Sequence, residues 1–347
     1  MRWRRPAPTR FRTPAAAVLA VLLALPLVAA CNRGEEAMPS LTVYSGRSEQ
    51  LVGPLFRQFT EQTGIKVEAR YGDTAELAAQ ILEEGAGSPA QVFFAQDAGA
   101  LGAVEAAGLF APLPAGASTA VPADYRAPDG TWTGVTGRAR VIAYDPQQVP
   151  TADVPQSVME LTDPRWRGQV AIAPTNASFQ AFVTAMRVAD GDDVTRRWLE
   201  GLVRNDAQRF EKNGLILDAV DAGQVKLGLI NHYYWYEKAA EVGAAGMRAK
   251  IAFTKPGDPG SLVNVAGVGV LKSAGEDAQA ATFVEWLLSP ETQRWFVTNT
   301  YEYPLGPNVP VAEGLPPLTS LRGPDVPLAD LESLPATLAM LEDVGVL

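Results

Sequence analysis

Short apolar segments alternate with amphipathic helical segments along most of this chain, and this alternation limits the possible folds more than any other feature. Leu41 to Tyr44 is typical of a strand, and apolar residues then recur every four positions from Leu51 to Phe59, as on one face of a helix that Gly64 would end. Alternating strands and helices predict α/β architecture. The roughly 310 residues beyond the N-terminal segment suggest two domains rather than one.

The same pattern continues along the chain and predicts where a ligand would bind. Further strands are predicted at 65–71, 92–94, 141–144, 170–173, 227–230 and 265–271, and helices at 75–84, 179–188, 194–203, 281–288 and 291–299. Ligands of open α/β sheets bind beyond the carboxyl ends of the strands. Segments 44–48, 94–97, 174–178 and 231–234 occupy such positions, so we expect them to line a cleft. Segments 112–134 and 304–326 are rich in Pro and Gly and are predicted to be crossovers or surface loops.

Residues 1–30 have the three regions of a secretory signal. Arginines lead into an apolar stretch at 15–28, and two small residues then precede Cys31. The stretch is short for a membrane span. The string from Leu27 to Cys31 resembles a bacterial lipobox, which implies that Cys31 is the lipidated first residue of the mature chain and that 31–39 is a tether. We therefore expect an extracytoplasmic protein held to a membrane only by its lipid.

Charge and residue counts exclude several classes of protein. The chain carries a net charge of −10, and removal of residues 1–30, with five arginines and no acidic residue, makes it −15. Nucleic acid is therefore not an expected partner, because phosphate contacts need a basic surface. Cys31 is the only cysteine and His232 the only histidine. This excludes an internal disulfide, a thiol nucleophile in the folded part and multi-histidine metal sites.

Two adjacent tyrosines lie in the run Asn231-His232-Tyr233-Tyr234-Trp235-Tyr236. A deprotonated phenol is a hard anionic ligand, and two of them suit a small, highly charged cation such as Fe(III). A free phenol ionises only near pH ~10, so the metal would have to displace the proton and would bind less tightly as the pH falls. The alternative is that the aromatic side chains simply fill a core.

Four motifs carry a resemblance to a known family: Val43-Tyr44-Ser45-Gly46-Arg47, Gly137-Arg138-Ala139-Arg140-Val141, Pro174-Thr175-Asn176-Ala177-Ser178-Phe179 and Asn231 to Tyr236. Their order resembles that of the periplasmic ferric-iron-binding proteins, the substrate-binding components of ABC transporters. The resemblance implies a two-lobed type II periplasmic-binding fold with the ligand cleft between the lobes. It places lobe 1 at 40–139 and 264–314 and lobe 2 at 140–263 and 315–347. It also implies a monomer that serves an ABC permease and its ATPase and is not an enzyme.

The resemblance also assigns roles to individual residues. Tyr233 and Tyr234 match the iron-binding pair of the family. The residues that match an anion-binding turn and the asparagines flanking it are Asn176, Ala177, Ser178, Asn213 and Asn231. Backbone N–H groups, a hydroxyl and amides can hold an anion without adding competing charge. The implied ligand is Fe(III) with carbonate or another small synergistic anion.

The chain departs from the best-known members of the family in the first lobe. Those members add a histidine after the first strand and a glutamate after the third, and the matching positions here are Ser48 and Gln96. Glu49 is one step away and would be a ligand if the match shifted by one residue. It would otherwise lie in the first helical turn, where an acidic side chain suits the helix dipole. With only two phenolates, we expect an anion to complete the coordination of the metal.

Three arginines and His232 keep two interpretations each. Arg47 could clamp an anion with its two-pronged guanidinium or form a salt bridge, and Arg138 and Arg140, on one face of a strand, share this ambiguity. His232 would either support the site from behind or face solvent.

Two other functions are weighed against iron binding. The first is the same fold binding an organic anion such as a phosphonate or phosphate ester. The second is a secreted hydrolase, which the lone histidine and the missing nucleophile motif disfavour.

Overall fold

The computed structural model describes residues 38–324 and 326–347. Within these residues the strands are β1 (Ser40–Ser45), β2 (Lys66–Tyr71), β3 (Val92–Ala95), β4 (Trp132–Tyr144), β5 (Val170–Ile172), β6 (Gln208–Arg209), β7 (Leu227–Asn231), β8 (Lys250–Ala252), β9 (Val263–Val270) and β10 (Tyr303–Pro304). The helices are α1 (Glu49–Thr63), α2 (Thr74–Glu84), α3 (Ala98–Ala106), α4 (Ala115–Ala120), α5 (Ala177–Asp190), α6 (Asp192–Arg204), α7 (Asn213–Asp221), α8 (His232–Val242), α9 (Ala278–Leu287), α10 (Pro290–Asn299) and α11 (Leu334–Asp343). The predicted signal peptide, Cys31 and most of the tether lie outside these residues.

The strands form a mixed sheet in the order β2-β1-β3-β9-β4-β7-β5-β6, with β8 and β10 also pairing with β4. Parallel pairs join β1 to β2 and β3, and β5 to β6 and β7, whereas β4 and β9 run antiparallel to their neighbours. Strand β4 joins the two halves of the sheet. Its residues up to Ala139 pair with β9, and those from Arg140 onward pair with β7.

Separate hydrophobic cores lie on the two sides of the point where β4 changes its partner from β9 to β7. The first contains residues of β1, β3, α1 and α9, such as Phe59, Phe94 and Phe283, all fully buried. The second and third contain residues from β4 onward, including Phe179 and Ile230. The boundaries of the two lobes stay a prediction. For the C-terminal segment, Leu328 and Leu331 pack in the first core, whereas Met340 and Leu341 pack in the second.

Most predicted elements are present, with two kinds of difference. Helix α1 ends at Gly64 as predicted, and Gly64 adopts the left-handed φ of 71° that a terminating glycine permits. Strand β4 begins at Trp132 rather than near 141, inside a segment predicted to be loop or crossover. It is buried along its whole length, so its small and polar residues hide the alternation that marks a half-exposed strand.

Helix α3 was not predicted, and its glycines explain why. A methyl group added at Gly99 or Gly102 would lie 2.6 Å from the Leu331 carbonyl oxygen or 2.5 Å from that of Ala329. The helix therefore uses glycines to let a distant chain segment approach its backbone, although glycine weakens isolated helices. No helix within the described residues is long and apolar enough to cross a membrane.

Candidate functional site

The tyrosine pair lies at the N-terminal end of α8, directly after β7. Tyr233 and Tyr234 occupy the second and third positions of the helix, and their rings stack with centroids 4.4 Å apart and an interplanar angle of 25°. Both side chains are half-buried. The pair is therefore held together by the start of one helix at the carboxyl end of a strand, where the sequence predicts a ligand cleft.

The electrostatic surroundings keep Tyr233 protonated in the absence of a ligand. Burial raises the pKa of the Tyr233 phenol well above its ordinary value, Tyr234 adds to this effect, and Arg138 acts in the opposite direction. A cation must therefore displace the Tyr233 proton in order to bind its oxygen. Among the described residues no group of three or more His, Cys, Asp or Glu side chains could hold a metal ion. The phenol oxygens stay the metal ligands that the sequence predicts.

The residues matched to anion binding converge in one hydrogen-bond network. Asn176 caps α5, and its Oδ1 accepts from the Ser178 N–H at 3.1 Å and from Asn213 Nδ2 at 3.0 Å. Asn231 precedes α8 and donates from Nδ2 to Ser178 Oγ at 3.0 Å. Ala177 is the first residue of α5. The structure therefore brings together the five residues that the resemblance grouped, although they are far apart in the sequence.

This network links the N-terminal ends of three helices, α5, α7 and α8. Helix N-termini present backbone N–H groups and a partial positive charge, which favour an anion. Asn213 is 1% exposed, and its Oδ1 has no hydrogen-bond partner among the described residues. A buried acceptor without a partner costs free energy, so a donor, such as a protonated ligand or a water, would complete it.

A buried carboxylate, Glu302, organises the cationic groups beside the tyrosines. Its two oxygens accept hydrogen bonds from Arg47 Nη1 at 2.9 Å and Arg47 Nη2 at 2.8 Å, and both residues are almost fully buried. Thr136 and Thr300 donate to the same carboxylate. The anion-clamp interpretation of Arg47 is therefore corrected: Glu302 occupies its two-pronged end, and Arg47 forms the salt bridge that was the alternative.

Arg138 and Arg140 keep unused donors at the site. Arg138 lies 3.7 Å from Glu302, and its Nε and Nη2 have no hydrogen-bond partner among the described residues. Arg140 contacts Asn231 Oδ1 through Nη1 at 3.4 Å, but its Nε is likewise unpartnered. Burial lowers the pKa of Arg140 to about 10, and the two tyrosines partly oppose this shift. These side chains are thus positive charges beside the phenols with capacity to donate to an anion.

The predicted first-lobe contacts have different surroundings. Glu49 is exposed in the first turn of α1, as the helix interpretation predicted, and lines an outer groove with Arg57 and Tyr71. The interpretation of Glu49 as a ligand is therefore wrong for this arrangement. Ser48 is exposed at the N-cap of α1 and makes no side-chain capping bond. Gln96 is half-buried after β3, where its N–H donates to Thr74 Oγ1 at 3.2 Å.

The other residues of the tyrosine segment, His232, Trp235 and Tyr236, make buried or packing contacts around the tyrosine pair. His232 is fully buried rather than facing solvent. Trp235 donates from Nε1 to the Ala249 carbonyl at 2.7 Å, and Tyr236 stacks on Tyr301 with centroids 5.9 Å apart. Both aromatic residues therefore have packing contacts, and neither is a candidate metal ligand.

Two acidic residues near the site were missed from the sequence. One is Glu302, described above. The other is Glu237, one helical turn beyond Tyr233, whose pKa burial and Glu302 raise to about 7 while Arg47 opposes the shift. A carboxylate between two tyrosines, as in Tyr301-Glu302-Tyr303, was the available signal for the first of them.

Asn176→Ala is expected to lower the free energy of unfolding by ~0.5–2 kcal/mol, the usual cost of losing a helix N-cap. The side chain caps α5 and also binds Asn213, so both contacts disappear. Urea unfolding of the two proteins measures the difference. Ser48→Ala is the matched control, because Ser48 makes no side-chain cap. An equal effect of both substitutions would contradict the capping role.

Comparison with known proteins agrees with this fold. Residues 88–325 match the sequence profile of the family described as bacterial extracellular solute-binding protein. The chain is 35% identical over 316 residues to the Fe(3+)-binding periplasmic protein of Serratia marcescens, covering 91% of this chain and 93% of that protein. It is 34% identical over 324 residues to the major ferric iron-binding protein of Neisseria meningitidis serogroup B, covering 92% and 97%.

Solved structures give the same result. Iron-bound HitA from Pseudomonas aeruginosa matches with a TM-score of 0.82 and 34% identity, covering 88% of this chain and 99% of HitA. The Trichodesmium protein IdiA (FutA), in complex with iron and citrate ligands, matches with a TM-score of 0.76 and 29% identity, covering 88% and 99%. The chain therefore belongs to the bacterial extracellular solute-binding protein family. The predicted resemblance to periplasmic ferric-iron-binding proteins and the predicted two-lobed α/β fold are both confirmed.

Proposed function

We propose that this protein is the extracytoplasmic receptor of an ABC importer and captures ferric iron through the phenolates of Tyr233 and Tyr234. The observation that carries the proposal is the stacked tyrosine pair beside buried arginine donors that have no partner within residues 38–324 and 326–347. Phenolate oxygens match the preference of Fe(III) for hard ligands. Relatives that share about a third of their residues with this chain are named for ferric iron, which supports the same cargo here.

A small anion, such as carbonate, would complete the coordination. The turn at Asn176, Ala177 and Ser178, flanked by Asn213 and Asn231, offers donors at converging helix N-termini. A carboxylate from the first lobe is not needed if the anion supplies the remaining oxygens. Such an anion also explains why Ser48 and Gln96 can replace the stronger ligands of other family members.

The charges of the site fit this ligand set. Arg47, Arg138 and Arg140 bring three buried positive charges, and Glu302 neutralises one of them. Two phenolates and a carbonate carry four negative charges against three on the metal, so the bound group has a charge of −1. The positive excess of the arginine cluster would stabilise this anionic complex in a buried site.

Capture would depend on closure of the cleft. A ligand that contacts both lobes favours the closed form by its higher affinity for that form, and the closed receptor then docks on the permease. We extend the proposal to a monomer anchored through lipidated Cys31, with lobes divided as the sequence predicts. The protein would deliver iron and catalyse no reaction.

The hydrolase alternative cannot use the one histidine of the chain as a base. Both ring nitrogens of His232 lie within hydrogen-bond distance of backbone groups, at Ala139 and Tyr301, and the side chain is fully buried. A buried imidazole engaged in this way is not available to a nucleophile. The organic-anion alternative uses the same arginines and asparagines and differs from the proposal in needing no metal.

Metal analysis of the purified protein tests the proposal directly. After incubation with excess ferric citrate and removal of unbound metal, we expect one iron atom per chain by mass spectrometry of the metal content. Calorimetric titration of metal-free protein with phosphate esters and phosphonates is the comparison. Tight binding of these anions without iron, together with no retained iron, would replace the proposal by the organic-anion receptor.

Iron affinity is expected to fall as the pH is lowered. Each phenol must release a proton to bind the metal, and burial holds the Tyr233 proton more tightly than in a free phenol. Release of two protons predicts a change of about a hundredfold in affinity per pH unit. Competition with citrate at several pH values, corrected for citrate protonation, measures the slope. A slope of zero between pH 5 and 8 would contradict phenolate ligation.

A further inference from the structure

Strands β4 and β10 pair with each other close to the point where the sheet changes from one half to the other. Strand β4 changes its partner from β9 to β7 between Ala139 and Arg140. Strand β10 pairs with β4 just before that point, through Tyr303 opposite Gly137. Strand β4 therefore runs from the first half of the sheet into the second, whereas β10 lies between Phe296 and Leu305, which both pack in the first core.

The side chain of His232 binds both segments. Its Nδ1 accepts a hydrogen bond from the Ala139 N–H at 3.1 Å, and its Nε2 lies 2.8 Å from the Tyr301 carbonyl oxygen. Because Nδ1 accepts, the ring proton is on Nε2, which donates to Tyr301. One imidazole therefore joins β4 to the residues that lead into β10. Few side chains other than histidine can accept at one end and donate at the other across this distance.

The same residue begins the helix that carries the tyrosines. His232 is the first residue of α8, and its ring meets that of Tyr233 edge-on with centroids 6.0 Å apart. On its other side it packs against Tyr303 at 4.9 Å. Tyr301 has a φ of 54°, a left-handed conformation that is uncommon for a non-glycine residue. The neighbouring structure holds Tyr301 in this conformation, in part through the His232 hydrogen bond and the stack on Tyr236.

We propose that His232 is a positioning residue that couples β4 and the residues leading into β10 to the orientation of the tyrosine pair. When the halves of the sheet move relative to each other, the bonds to Ala139 and Tyr301 carry the displacement to the first turn of α8. Closure of the cleft and alignment of the phenol oxygens then become one event. The effect of His232 on iron rests on the proposed function, whereas its effect on β4 and on the residues leading into β10 does not.

Three variants separate this role from simple packing. His232→Asn keeps an acceptor for the Ala139 N–H but is too short to reach Tyr301, and His232→Leu removes both bonds. Tyr303→Phe is the matched control, because it keeps the ring that packs on the imidazole and removes only a buried hydroxyl with no hydrogen-bond partner among the described residues. Iron affinity is measured by citrate competition. The phenolate-to-iron absorption band of the saturated protein reports the geometry of the tyrosine ligands.

We expect His232→Asn to lose about 10- to 100-fold in iron affinity, the usual effect of removing a residue that orients metal ligands. The absorption band should shift in this variant and remain unchanged in Tyr303→Phe. A merely structural role would lower the melting temperature without moving the band of the iron-saturated protein. A folded His232→Asn variant with wild-type affinity and an unchanged band would overturn the proposal.

A measurement on iron-free protein keeps the proposal testable if no variant, nor the wild type, binds iron. Hydrogen–deuterium exchange of the purified proteins reports the backbone of segments 137–141 and 300–304. We expect faster exchange in segment 300–304 for His232→Asn, faster exchange in both segments for His232→Leu, and no change for Tyr303→Phe. Unchanged exchange in His232→Leu would overturn the coupling whatever the cargo is. Absence of iron binding in the wild type would instead remove the proposed function.

Discussion

Replacement of Tyr233 and Tyr234 together by phenylalanine is expected to abolish ferric-iron binding, with a loss of at least ~1000-fold in affinity, or ~4 kcal/mol. The substitution removes only the two phenol oxygens. The stacked rings, 4.4 Å apart, remain, so the fold and the start of α8 should be preserved. Citrate competition measures the affinity, and the melting temperature of the iron-free protein shows whether the variant is folded.

Tyr236→Phe is the control for this experiment. Tyr236 lies on the same helix, but its ring packs on Tyr301 and Trp235, away from the proposed ligands. Loss of the Tyr236 hydroxyl should leave the iron affinity within about twofold of the wild-type value, a change in binding free energy of well under 1 kcal/mol. Retention of iron by the Tyr233 and Tyr234 double variant would show that other atoms bind the metal. Equal losses in the control would show a general effect on α8.

Glu302→Gln is expected to lower the free energy of unfolding of the iron-free protein by about 3–5 kcal/mol, the cost of breaking a buried ion pair by removing one partner. Glu302 is 1% exposed and is the carboxylate that forms ion pairs with both Arg47 and Arg138, which are each 2% exposed. Glutamine keeps the shape but leaves both guanidiniums without a buried counter-charge. Urea unfolding at pH 7 measures the difference.

The pH dependence and an exposed control make this prediction specific. Burial alone would raise the pKa of Glu302, but Arg47 and Arg138 outweigh it, so the pKa is lower in the folded protein. The stabilisation is therefore complete above the ordinary carboxyl pKa of about 4.3 and disappears as the pH falls through the lower folded value. Glu68→Gln, which breaks an exposed pair with Lys66, should cost less than ~1 kcal/mol. Equal destabilisation by the two substitutions would contradict the account.

Local signals in the sequence were enough to predict the second-lobe part of the candidate site. The tyrosine pair is contiguous, and Asn176 and Asn231 stand at strand-to-helix junctions, where amides and hydroxyls bind helix N-termini. Strand and helix periodicity gave the α/β class for the same reason, because each element has its own pattern. These features depend only on residues that are close together in the sequence, so they can be recognised from one sequence alone.

Long-range contacts could not be predicted in this way. Arg47 and Glu302 are 255 positions apart, and nothing near either residue indicates the other. Glu49 was a candidate ligand only because a strand-to-helix turn leaves the direction of each side chain open. A difference of one residue turns a helical side chain by about 100°. In the structure that difference places Glu49 in an outer groove, with Arg57.

The central claim, iron held by two phenolates and an anion, is tested most directly by visible absorption of the purified protein. Metal-free protein is titrated with ferric citrate, once with bicarbonate and once in bicarbonate-free buffer. We expect a phenolate-to-iron charge-transfer band that saturates at one iron per chain, requires the added anion and is missing in the Tyr233 and Tyr234 double phenylalanine variant. No band under either condition would contradict tyrosine coordination of iron and leave an organic anion as the expected cargo of this cleft.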